Sequence, residues 1–241
     1  MTLAADDDAH GPLISNRILF RITLVIGLLA ALASALSIAG KQLGQELARG
    51  GNSLSGEKHQ IIIGQDALSL PANVIRFEAQ RKSGPAESVS VYLTWPKLEG
   101  YGRSNAAIFS DPRRSDRLIF IDFSQSVMSR DMSGRVEPIY SKLFTGEPAT
   151  GPAGLTVHTL SRKSGFGDER LLTATLPDGG IYAVRCLLPP DGQATTSADC
   201  LRDVHVGRDL TMLYRFSSAL LPQWREIDRS VRDFAHRHLV R

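Results

Sequence analysis

The run from Ile22 to Gly40 constrains this chain more than any other stretch. It contains no charged side chain, and its only polar groups are the hydroxyls of Thr23, Ser34 and Ser37. At 1.5 Å per residue a helix over it is roughly 28 Å long, close to the hydrocarbon thickness of a bilayer. Each hydroxyl can return its hydrogen bond to a carbonyl one turn back, so lipid exposure costs little. The run is read as a membrane span, and the residues beyond Lys41 as a tethered domain.

The direction of the span sets the compartment of that domain. Arg17 and Arg21 precede the run, while Lys41, Arg49 and Lys58 come after it. The positive-inside count is therefore nearly balanced. The two arginines stand directly against the apolar residues and Lys58 is distant, which favours a cytoplasmic N-terminus. A cleaved signal peptide is the alternative, because Ala33-Ser34-Ala35 has the small-x-small form of a cleavage site. The long leader, and the apolar residues continuing through Leu36, Ile38 and Ala39, favour an uncleaved signal-anchor. Either way the domain lies outside the cytoplasm. The expected organisation is a cytoplasmic tail over 1–17, a signal-anchor over 18–40, a linker over 41–57 and a periplasmic domain over 58–241, carried by a single pass through the inner membrane.

Roughly 185 residues remain for that domain, enough for one core. Hydrophobic content of 42% and charged content of 22% suit a folded soluble body, so disorder is not expected. The 28 basic and 25 acidic residues are spread along the chain. Arg113-Arg114, beside Asp111 and Asp116, is the densest cluster and reads as a solvated loop, so no nucleic-acid partner is expected. Cys186 and Cys200 are the only two cysteines. In an oxidising compartment they are a candidate disulfide closing one loop, and no nearby His or Cys completes a tetrahedral zinc set with them.

From His59 onward the pattern is of strands bounded by turn residues. His59 to Ile63 is β-branched and stops at Gly64; Ala67 to Leu70 ends at Pro71. Val89, Val91, Leu93 and Trp95 alternate with polar residues and share a face. Leu118 to Phe123 reads as a central strand in which Asp122 would need partners. Leu155 to Leu160 follows a loose Gly- and Pro-rich stretch from Pro148 to Gly154. Pro177-Asp178-Gly179-Gly180, between Leu171–Leu176 and Ile181–Leu188, is the clearest hairpin signal. Cys186 then closes one strand, and its partner precedes Asp203–Val206 and Leu210–Phe216. A C-terminal helix carries Pro222 in its first turn and an apolar face of Trp224, Ile227, Val231, Phe234 and Leu239. Asp228 with Arg232, and Asp233 with Arg237, are read as exposed i,i+4 pairs. The expected fold is thus a transmembrane helix plus an α+β, mainly antiparallel β domain closed by an amphipathic helix.

No pattern of catalytic residues emerges. There is no Gly-x-Ser-x-Gly elbow. Ser55-Gly56-Glu57-Lys58, with Lys82-Ser83-Gly84 and Lys163-Ser164-Gly165, matches penicillin-recognising motifs in letters alone, since that chemistry needs its serine and lysine on one rigid helical turn. Cys186 as a nucleophile would require a free thiol and a His partner. His236 and His238 point about 200° apart on a helix, and His59, His158 and His205 stand singly in strands. Asp122, His158 and His205 could form a site only if the fold assembles one. No catalytic, cofactor or metal residue and no cofactor is assigned. The segment from Ser126 to Tyr140, mixing Met, Arg and Asp after the most apolar strand, has the residue types of a binding surface.

Several phrases resemble a family of short, membrane-anchored proteins of alphaproteobacterial genomes. They are Leu70-Pro71-Ala72-Asn73-Val74-Ile75-Arg76-Phe77, Arg130-Asp131-Met132-Ser133-Gly134-Arg135, Glu137-Pro138-Ile139-Tyr140, Tyr214-Arg215-Phe216 and Leu220-Leu221-Pro222-Gln223-Trp224. The resemblance covers the chain from about His59 and implies an anchored envelope protein without adding a site residue. The expected function is a non-catalytic accessory or binding module with an envelope protein partner. A small envelope hydrolase or transferase, its site assembled only in the fold, is the alternative.

Overall fold

A computed structural model describes residues 16–190 and 193–240. The expected cytoplasmic tail lies almost wholly outside them. The chain divides into two compact units, with the boundary in sequence after Gly51. The first contains α1 (Asn16–Arg49), in which residues Asn16–Gly40 have a mean hydropathy of 2.4 and are long and apolar enough to span a membrane. Thr23 donates to Leu19 O at 3.0 Å and Ser34 to Ala30 O at 2.8 Å, so these hydroxyls are satisfied within the helix. The helix runs on past the apolar segment to Arg49 and stops at Gly50, whose φ of +57° suits a helix-ending glycine.

The second unit carries two sheets. In chain order its elements are β1 (Lys58–Ile63), β2 (Asp66–Pro71), β3 (Gly84–Pro85), β4 (Ser88–Thr94), α2 (Ala106–Ser110), β5 (Leu118–Gln125), β6 (Phe144–Thr150), β7 (Thr156–Leu160), β8 (Arg170–Thr175), β9 (Ile181–Cys186), β10 (Cys200–Val206), β11 (Leu210–Phe216), α3 (Trp224–His238) and β12 (Leu239–Val240). Short 3-10 turns fill several connections. The small sheet has the order β12-β2-β1-β3 and the large one β4-β5-β11-β10-β9-β8-β7-β6, antiparallel throughout. The fold is α+β with mostly β content.

Alternation along the strands gives the large sheet a dry first face. Val89, Val91 and Leu93 of β4 face the same side as Ile119, Ile121 and Phe123 of β5, all at most 1% exposed. Met212, Tyr214 and Phe216 of β11 continue that face. Ile61, Ile63, Leu68 and Leu70 of the small sheet join this core, as do Trp224, Ile227, Val231 and Phe234 of α3.

Three features of the C-terminal helix depart from expectation. Pro222 belongs to a preceding 3-10 turn, Ser218–Gln223, and Leu239 leaves the helix to pair with Leu68 of β2. Asp228, read as half of an exposed pair, is only 8% exposed. The helix turns it inward because a buried arginine waits beneath it. Strand β6 falls partly in the stretch read as loose. Its residues after Phe144 are exposed and its register slips between Thr145 and Ala149, so it has no apolar alternation to reveal it.

The small sheet is fastened to the large one by two hairpin turns that exchange carboxylates. Asp66, at the start of β2, accepts from the backbone N–H groups of Arg208 (2.9 Å) and Asp209 (2.9 Å) in the β10–β11 turn. Asp209 in return accepts from Gln65 N (3.0 Å) in the β1–β2 turn and from Gln125 Nε2 (2.9 Å). The backbones come so close that a Cβ on Gly207 would lie 2.5 Å from Asp66 Oδ1.

Candidate functional site

The large sheet is two four-stranded halves with a short join. Strands β10 and β11 pair over seven positions, whereas β9 and β10 pair only at Cys186–Cys200 and Arg185–Leu201. The Cys186 and Cys200 Sγ atoms are 2.08 Å apart, at bonding distance, directly across this join. Beyond it the two strands diverge and leave a wedge. Arg202 Nη1 donates to Ala183 O at 2.6 Å, occupying a carbonyl that β10 would otherwise have bonded. The 3-10 turn Ser133–Arg135 enters the wedge from the other side, with Met132 N on Asp203 O at 3.4 Å.

What holds Arg202 there is a buried network. Its guanidinium is 1% exposed and meets Asp228 Oδ1 at 3.0 Å and Ser133 Oγ at 2.8 Å. Asp228 also accepts from the Tyr214 hydroxyl at 2.9 Å and from Arg232 Nε at 3.0 Å. Burial pushes the Tyr214 phenol well above its ordinary value, so it remains a proton donor. Removing two charges from water is costly unless each is paired and hydrogen-bonded, and here both are.

The second face of the sheet carries a groove of about 440 Å³. Its floor crosses the join. Residues directly opposite one another share a face, and one such row runs Leu171, Arg185, Leu201, Arg215, Phe120. The next row contains Asp203, Leu213 and Asp122. The segment from Ser126 to Tyr140 forms one wall and is pinned by Met132 and Tyr140, which sit in a second core with Leu160, Leu171 and Ala183. Its outer residues are left bare: Val127 is 91% exposed, Met128 51% and Ile139 45%.

Three arginines line the groove, each with a carboxylate partner. Arg135 pairs with Asp203, Arg185 with Glu169, and Arg215 Nη1 lies 3.2 Å from Asp122, which also accepts from Ser90 Oγ at 2.6 Å. Arg185 additionally covers the Phe166 ring, with its guanidinium carbon 4.3 Å from the centroid. A guanidinium has five N–H donors, more than these pairings use.

The three groups that only the fold could have assembled stay apart. Asp122 is occupied by Arg215 and Ser90; His158 stacks on Phe144 at 4.1 Å and contacts Thr173 Oγ1 at 3.0 Å. His205 Nε2 lies 2.9 Å from Ser126 Oγ, a contact in the manner of a nucleophile and its base. The Ser126 hydroxyl, however, has the Met128 carbonyl at 3.1 Å to donate to. The Met128 carbonyl thus competes for the proton that base activation would take, and which of Ser126 and His205 donates depends on the ring tautomer. Among the described residues no carboxylate orients that ring, and no three His, Cys, Asp or Glu side chains converge as metal ligands. In the three Ser- and Lys-containing motifs each serine hydroxyl is held by a backbone group. Ser55 accepts from Glu57 N, Ser83 from Gln60 N, and Ser164 donates to Ser161 O.

No protein-family model matches the chain, and no curated protein matches it. Solved structures do. An immunity protein of the Stenotrophomonas maltophilia type IV secretion system superposes with a TM-score of 0.52 at 15% identity, over 78% of this chain and 95% of that one. The Neisseria meningitidis iron-regulated outer membrane lipoprotein FrpD gives a TM-score of 0.45 at 11% identity, over 78% and 96%. The first likeness establishes a shared fold.

The Ser126–Tyr140 wall stood out in the sequence, but the floor did not. Arg185, Asp203 and Arg215 were visible as charged residues alternating with apolar ones, which reads equally well as a solvated face. The pairing of Arg202 with Asp228 had no sequence signal, because 26 positions and a sheet-to-helix contact separate them.

Proposed function

We propose that this is a membrane-anchored envelope protein whose folded domain lies outside the cytoplasm and binds a protein partner without catalysing a reaction. The observation that carries this reading is the groove: bare apolar residues on one wall, and a floor of arginines with donors to spare. That combination suits a partner segment presenting apolar side chains beside carboxylate or carbonyl oxygens. The shared fold with an immunity protein supports a role exercised by binding. The apolar helix, the Cys186–Cys200 pair and the resemblance to short anchored proteins support single-pass placement in the inner membrane, with the domain in the periplasm. The competing hydrolase reading rests on the Ser126–His205 contact, and among the described residues no carboxylate orients that ring as a base would need.

Photocrosslinking in intact membranes tests the groove. A photoreactive residue at Val127 should yield a discrete protein adduct that is absent when the probe is at Ile181, and Met128→Glu should reduce its yield about tenfold, in the range of an interface anchor. Equal adducts from both positions, or none from Val127, would remove the groove as the binding site. For placement, a membrane-impermeant thiol reagent applied to whole cells after reduction and mild denaturation should reach Cys186 and Cys200 without cell lysis. Labelling only after lysis would reverse the orientation.

A further inference from the structure

The groove floor is built from both halves of the large sheet. Arg185 and Phe166 come from the β6–β9 half; Leu201, Leu213 and Arg215 come from the β10, β11, β5 and β4 half. The halves are joined at this level by two residue pairs, one of which is Cys186–Cys200 and the other Arg185–Leu201, itself part of the floor. We infer that the Cys186–Cys200 bond sets the width of the groove, so that binding in it depends on the oxidation state of this pair.

The geometry of the ladders carries this. Elsewhere in the sheet neighbouring strands are tied by longer ladders, such as β8 and β9 over six positions and β4 and β5 over seven. Each half therefore holds together by its own hydrogen bonds. Past the join, the wedge is bridged by side chains and by the turn Ser133–Arg135, which is attached to both lips. It reaches β10 through Arg135–Asp203 and Met132 N–Asp203 O, and β9 through the packing of Met132 with Ala183. A rotation of one half against the other would thus move the groove wall as well as its floor. The covalent bond at the apex of the wedge resists that rotation. Both cysteines are buried, so an envelope dithiol would release the bond by thiol–disulfide exchange when the two halves part locally. One thiolate attacks a sulfur of the pair to give a mixed disulfide, and the second thiolate resolves it. Two electrons and two protons pass to the chain, Cys186 and Cys200 become thiols, and the dithiol becomes its own disulfide.

The inference rests on the groove being the binding site, but its test needs no partner. Spin labels carried on non-natural amino acids at Ser129, next to the lining Met128, and at Lys163, three residues before the lining Phe166, both exposed, report its width. A second pair at Glu147 and Thr175 lies within one half and serves as the internal reference. The distances are measured in the full chain, in the oxidised protein, after dithiol treatment, and in a Cys186→Ser/Cys200→Ser variant that does not depend on reagent access. The expected result is a shifted or broadened Ser129–Lys163 distribution on reduction and in the variant, with the Glu147–Thr175 distribution unchanged. Two unchanged distributions would overturn the inference, since the bond would then not control the groove. Broadening of both would also overturn it, because the bond would then be a staple for the whole fold. If the groove widens yet Val127 captures no partner in any state, the structural inference stands and the binding reading fails.

Discussion

Asp228 ties helix α3 to the large sheet. Its carboxylate serves Arg202, Tyr214 and Arg232 together. Asp228→Ala should destabilise the domain by about 3–5 kcal/mol, because it strands the Arg202 charge in the core. Replacing both partners, as Arg202→Met with Asp228→Leu, should cost much less than the sum of the singles. It should still cost about 1–3 kcal/mol, since Ala183 O loses its donor. Urea unfolding of the four proteins in the cycle measures both. His158 acts in a different way. Burial holds its imidazole, and that of His238, below the ordinary value of 6.5. The folded state then binds fewer protons than the unfolded one. Stability is complete above pH 6.5 and falls as the pH drops through the window below it. His158→Gln should remove part of that acid-side slope and leave the His238 part, as a series of urea midpoints against pH would show.

Among the elements, the hairpins show how local chemistry and docking combine. Gly179 has a φ of +83° and Asp178 accepts from Gly180 N at 3.0 Å, which is what the Pro-Asp-Gly-Gly sequence announces. Gly207 has a similar φ of +67°, but its requirement is not only local. An added methyl would meet Asp66 Oδ1, and that carboxylate cannot retreat without dropping its bonds to Arg208 N and Asp209 N. Gly146, with a φ of +71°, has open space around its missing Cβ. Gly146→Ala should therefore cost about 1–2 kcal/mol, the strain of a left-handed residue. Gly207→Ala should cost clearly more, and Asp66→Ala combined with Gly207→Ala should recover part of the difference. Thermal melts of these three variants decide it. The helix α3 divides in the same way between local and tertiary causes. Its apolar stripe was plain from spacing, whereas the inward turn of Asp228 was not, because a carboxylate beside Arg232 has the pattern of an exposed pair.

At the scale of the whole molecule, most strand positions followed from alternation and turn residues, with β6 an exception, and the apolar helix from composition. Both are properties of a few neighbouring side chains. The pairing of strands is not. Nothing local to β9 or β10 says that they meet at two positions only, or that the groove floor lies across that join. The disulfide adds a further expectation here. Closing its loop, with a sequence separation of 14, is worth about 3 kcal/mol in the chain-entropy model. The Cys186→Ser/Cys200→Ser variant should lose roughly that much in urea unfolding yet stay folded.

By itself the sequence determined a span-length apolar helix, an alternating antiparallel body, its main hairpin and an amphipathic closing helix. These are written in short-range periodicity, which any segment carries with it. Only the tertiary structure decided that Arg202 and Asp228 meet, that two carboxylates clasp two hairpins, and that Arg185, Leu201 and Arg215 form one row beneath the Ser126–Tyr140 wall. Those contacts join residues far apart in the chain, and their free energy exists only once strands from both halves of the sheet have come into register.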